Sequence, residues 1–164
     1  FIRPGLNSES SWTYGDCYQA RGILETASSL PGAPNELSFY AVEHYWRKPS
    51  AKFRRYTLRI DGFVSAHAPL GGGELITSPI IFNGSELHLN ISTSAGGGIW
   101  VEIQNIEGNP IKGFAKDDCY EILGDSLDYT VRWKNGTDIS SLAVKPVKIK
   151  FVLKDADLYS YKFE

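Results

Sequence analysis

The chain has 164 residues, enough for one sizeable core or one domain with an appendage, and too few for two large ones. Its 17 basic and 19 acidic side chains leave a formal charge of -2 and are scattered in both signs, which excludes a polyanion footprint for nucleic acid or anionic membrane. No apolar run approaches the roughly 20 residues that span a bilayer, and no basic-then-apolar start reads as a leader.

Alternating apolar and polar runs bounded by Gly, Pro, Asn and Asp recur along the chain, whereas a 3.6-residue apolar period hardly persists anywhere, so the sequence reads as all-β. Residues 1 to 20 are polar and irregular, Gly22 to Thr26 suit a short strand, and Ser28 to Asn35 are a loop. Leu37, Phe39 and Ala41 alternate with Ser38, Tyr40 and Val42 in a strand from Glu36 to Tyr45. A turn at Lys48-Pro49-Ser50 brings Ala51 to Ile60 back as its hairpin partner. Asp61-Gly62 permits positive φ and predicts that Phe63 to Ala68 fold back on that strand.

After Gly71-Gly72-Gly73, short strands are expected at Glu74 to Thr77 and Ile80 to Phe82, then a turn at Asn83-Gly84-Ser85. In Glu86 to Thr93, Leu87, Leu89 and Ile91 face inward, with His88, Asn90 and Ser92 outward. Gly96 to Gly98 read as the next turn. Ile99, Val101 and Ile103 then point inward, leaving Trp100, Glu102 and Gln104 on the other face. A loop from Asn105 to Asp118 precedes Leu127, Tyr129, Val131 and Trp133, which share one parity, and a single helical turn fits Asp138 to Leu142. Val147, Ile149, Phe151 and Leu153 form an inward row with Lys148, Lys150 and Lys154 outside, and a turn or bulge at Lys154-Asp155-Ala156-Asp157 leads to a last strand with Tyr159, Tyr161 and Phe163 on one face. Nine to eleven strands in an antiparallel, two-sheet, jelly-roll-like β-sandwich result.

No nucleophile elbow is present, and His44, His67 and His88 form no helical metal pair. Asp117, Asp118, Asp155 and Asp157 are the carboxylates that sugar hydrolysis would need in a pair, but turn capping explains each of them. No catalytic residue is assigned. No cofactor is expected, and the one metal to weigh is calcium at Asp155 and Asp157, where the full calcium-loop pattern is missing. Cys17 and Cys119 permit either one disulfide or two thiols.

A pyranose has an apolar C–H face that lies well on an aromatic ring. Trp100, on the outward parity, is the first candidate for carbohydrate stacking, followed by Tyr45, Trp46 and Tyr120; packing against a neighbouring domain would explain an outward Trp100 equally well. Three glycosylation sequons start at Asn83, Asn90 and Asn135, and Asn-Gly also serves tight turns at the first and third.

The stretches ELSFYAVEHY, FRRYTLRIDGFVSAHAPLGGGELITSPIIF, LHLNISTSAGGGIWVEIQNIEGNPIKGF and GDSLDYTVRWKNGTDISSLAVKPVKIKFVLKDADLYSYKF resemble the C-terminal region of large secreted bacterial proteins similar to glycoside hydrolase family 32. In those proteins a five-bladed propeller carries the active site and a C-terminal β-sandwich packs beside it. The resemblance implies junction strands in residues 1–60, a β-sandwich domain in 61–164, an upstream catalytic propeller as partner, and a secreted or periplasmic location. A chain without Met that starts at Phe1 fits a truncated or matured product of such a protein. The function implied is a non-catalytic accessory module that supports the catalytic domain and binds polysaccharide. The alternative is an enzyme fragment that lends loop residues such as His44 or Arg54 to an active site housed upstream.

Overall fold

Strand forms almost wherever the alternation occurs. The computed structural model describes residue 2, residues 17–45 and residues 51–164. The chain is all-β and sandwich-like; among the described residues it has eight strands in two antiparallel sheets, and the only helices there are 3-10 turns at Lys116–Asp118 and Ser140–Leu142. None is long and apolar enough to cross a membrane. Two compact units divide at Gly62 and Phe63.

The first unit holds β1 (Leu24–Thr26), β2 (Glu36–Glu43) and β3 (Lys52–Arg59) in that order. The expected hairpin is present, with Phe39 opposite Tyr56 and Ala41 opposite Arg54, while its turn residues Lys48, Pro49 and Ser50 lie outside the described residues. Phe39 and Ala41 are buried on one face, where Phe39 stacks on Tyr56 at 5.5 Å. On the other face Arg55 ties all three strands together. It donates to Ser38 Oγ, Thr26 Oγ1 and Glu36 Oε1, each at 2.8 Å.

The second unit is built on two long neighbours, β6 (Leu87–Gln104) and β8 (Lys148–Phe163). Short strands β4 (Ala66–Ala68) and β5 (Gly73–Ile76) share the far edge of β8, and β7 (Asp125–Thr130) pairs with the first half of β6. Asp61 does take positive φ, but the strand after it joins β8 and not β3, so the chain changes sheet where a simple meander was expected. Ile80 makes only an isolated bridge to Val147.

The expected turn at Gly96 to Gly98 is a bulge, and of the turn or bulge expected at Lys154 to Asp157 it is the bulge that forms, both within continuous strands. Thr93 pairs with Ala156 and Gly98 with Lys154, so Ser94 to Gly97 on β6 face the single residue Asp155 on β8, whose φ is 41°. The two strands bend together instead of reversing, so the four strands expected at 86–93, 99–104, 146–154 and 157–163 are two. A second shift, between Asn90 and Ile91 against Ser160 and Leu158, puts Tyr159 out of the inward row. The inward row of β8 is therefore Ile149, Phe151, Leu153, Ala156 and Leu158, continued by Tyr161 opposite Leu89 and Phe163 opposite Leu87.

Both halves of the bent pair line one core, with Leu87, Leu89 and Ile91 joined by Ile99, Val101 and Ile103. Trp133 is fully buried, stands edge-on to Phe114 at 5.3 Å and donates Nε1–H to the Val101 carbonyl at 3.0 Å. His88 and Asn90 keep their predicted parity but are buried, His88 against Asp128 at 3.0 Å, because neighbouring side chains cover that face. Burial also removes Asn90 from the set of accessible glycosylation sequons.

Candidate functional site

Three strands present the outward face around Trp100. Register places Glu74 of β5, Val152 of β8 and Trp100 of β6 on one rung, and Ile76, Lys150 and Glu102 on the next. Cross-strand partners point to the same face, and the alternate rungs carry the core residues Leu153, Ile99, Phe151 and Val101. Trp100 is consequently turned away from the core, as its parity predicts, and is half-buried.

Glycines shape its surroundings. Gly98, two residues back on the same face, leaves space for the indole, since a Cβ there would come within 3.0 Å of Trp100 Cη2 and 2.8 Å of Glu121 Oε1. The Gly71–Gly73 corner, closed by a Gly72 N–H to Pro69 carbonyl bond of 2.8 Å, forms one wall of an open groove of about 580 Å³. Leu70, Glu74, Lys116, Val152, Leu153 and Lys154 complete the lining around Trp100.

Lys116 reaches the groove through a polar anchor. The face of β6 beyond Trp100 is not solvated as the parity suggests: Glu102 and Gln104 are both buried. Glu102 accepts Gln104 Nε2 at 2.7 Å and the Lys116 backbone N–H at 3.1 Å. This anchor fixes the start of the 3-10 turn and lets Lys116 Nζ stand 5.4 Å from the Trp100 ring centroid, a cation–π contact. Glu74 is engaged by Lys150 at 2.8 Å.

Tyr120 is 52% exposed but lies outside the groove lining, with the Arg132 guanidinium 5.7 Å from its ring. Tyr45 belongs to the first unit and is half-buried, and Trp46 lies outside the described residues. Of the residues weighed for an upstream active site, Arg54 Nε is bonded to Glu43 at 2.8 Å, and His44 takes a positive φ of 56°.

Asp157 accepts Ser65 Oγ at 2.7 Å and faces His67 Nδ1 at 3.1 Å, while Asp155 forms the bulge. No group of three or more His, Cys, Asp or Glu is arranged to hold a metal ion among the described residues. Both cysteines are free, one in each unit.

Comparison with family models, curated proteins and solved structures finds no match. The site must therefore be read from its own geometry. Lys116, Lys154, Glu74 and the Gly71–Gly73 corner were not foreseen as its components. The corner reads as an ordinary turn and Lys116 carries no local signal, because only the pairing of β5 with β8 and of β8 with β6 unites them.

Proposed function

We propose that the second unit is a non-catalytic carbohydrate-binding accessory module of a larger, secreted, glycoside-hydrolase-like protein whose catalytic domain lies upstream. The observation that carries the proposal is the half-buried indole of Trp100 in an open groove with ammonium and carboxylate groups at its rim. An aromatic face offers a sugar ring a flat apolar contact, and charged groups at the rim accept and donate hydrogen bonds to its hydroxyls. An open groove, unlike a closed cavity, admits an internal stretch of a long chain.

The decisive experiment is titration of intrinsic fluorescence with a panel of soluble polysaccharides, for the native chain and for Trp100→Ala. Saturable quenching by at least one polysaccharide is expected, with affinity weakened at least about tenfold in the variant through loss of stacking area. A flat response across the panel would make the module a purely structural sandwich.

A further inference from the structure

The charge around Trp100 discriminates among sugars. The lysines with a carboxylate partner among the described residues are Lys134, Lys150 and Lys162, which leaves Lys116 and Lys154 in the groove without one. The one carboxylate of the lining, Glu74, is matched by Lys150, and Glu121 lies beyond the lining at the Gly98 end. The groove is therefore left with two cationic side chains in excess, Lys116 against the ring and Lys154 in the lining.

We infer that the groove takes a uronate-bearing polysaccharide, the pyranose lying on Trp100 and its carboxylate met by Lys116 and Lys154. The inference rests on Trp100 being the stacking platform. A uronate carries its carboxylate on the ring carbon C5, so a ring lying flat on the indole projects that group sideways, toward a Lys116 ammonium displaced from the ring face and toward Lys154 of the lining. Lys116 supplies the discrimination. Its ammonium occupies the ring face in the free protein, and a neutral sugar that displaces it breaks the cation–π contact and offers the ammonium only hydroxyl oxygens in exchange. A uronate gives the displaced ammonium a carboxylate, turning a competitor into a ligand.

The test uses the full chain and compares polygalacturonate with its methyl ester, which keeps the ring and removes the charge, and with dextran sulfate. The acid is expected to bind roughly tenfold more tightly than the ester at low ionic strength, and this advantage shrinks at about 0.5 M salt. Lys116→Gln and Lys154→Gln each weaken the acid roughly two- to fivefold, as exposed ion pairs do, while the ester binds Lys116→Gln at least as well as the native chain. Near-ultraviolet circular dichroism of each variant verifies that the fold is intact.

Equal binding of acid and ester, both lost in Trp100→Ala, would overturn the uronate assignment and leave the stacking platform standing. Binding of the acid that survives Trp100→Ala unchanged would overturn the platform itself. Dextran sulfate bound in preference to polygalacturonate would assign the lysines to sulfate and sink the uronate inference, and no binding by any polymer would remove both readings.

Discussion

Cys119 shows how burial alone sets the chemistry of a side chain. It is enclosed by the core, accepts the Val101 N–H at 3.3 Å and points its own S–H at the Tyr120 carbonyl at 3.3 Å. Burial pushes the thiol up to about 11, with the Val101 N–H pulling partly the other way. The thiolate is the reactive form, so native protein treated with iodoacetamide at mildly alkaline pH should leave Cys119 unmodified, and denaturing guanidinium should expose it at once. Native labelling at the rate of an exposed cysteine, read by peptide mass spectrometry, would refute this. The sign of the pH effect follows from the same shift. Below the unfolded thiol value of 9.0 both states hold the proton and stability is indifferent to this group. Between there and about 11 only the folded state keeps it, so stability falls as pH rises through that window. The sequence leaves both a disulfide and two thiols open for Cys17 and Cys119, with the thiols favoured, since nothing local to either residue says where the other lies. Lys116 was illegible for a similar reason: its role comes from a buried carboxylate two residues beyond Trp100 on another element.

The bulge shared by β6 and β8 carries the lesson at the scale of elements. Gly96, Gly97 and Gly98 look alike in sequence and differ in what surrounds them. A Cβ on Gly97 would lie 2.6 Å from the Lys154 carbonyl oxygen and closer still to that of Asp155, whereas one on Gly96 meets nothing within 4 Å. Gly97→Ala should therefore lower stability by about 1–3 kcal/mol through displaced backbone. Gly96→Ala should be neutral or stabilising by a few tenths to about 1 kcal/mol, because it only restricts the unfolded chain. Urea unfolding midpoints of the two variants decide the matter, and equal losses would show that the close approach at Gly97 is absent. Alternation made the inward rows 87, 89, 91 and 99, 101, 103 legible, and with them the outward direction of Trp100. What alternation does not encode is whether a glycine run reverses the chain or merely bends it. Here the decision is made by a strand some fifty residues downstream, whose Asp155 takes the left-handed conformation that keeps both strands paired through the bend.

At the scale of the whole molecule, the division at Gly62 and Phe63 separates a three-stranded sheet from a unit with its own continuous core. A unit with a complete core folds independently, so the fragment Phe63–Glu164 should unfold cooperatively, with a free energy of about 5–15 kcal/mol in common with other small domains. A broad, non-cooperative transition monitored by the fluorescence of Trp100 and Trp133 would show that the unit depends on the preceding strands. The all-β class and the hairpin of β2 and β3 follow from local pattern. The change of sheet after Asp61 does not, since Phe63 to Ala68 alternate equally well for either partner, and the edge of β8 wins by offering Ala66 and Ala68 a place at the core.

The position of β8 in the chain also governs the order of events during synthesis. It leaves the ribosome after the other strands of its unit, yet it is the one on which β4, β5 and β6 all pair. Until it emerges, those three strands carry unpaired backbone edges, and the second unit can only wait, with hydrogen-bonding groups open to other chains. The nascent second unit is thus exposed to intermolecular pairing from the emergence of β4 onward, and the hazard closes in one step when β8 zips against β6.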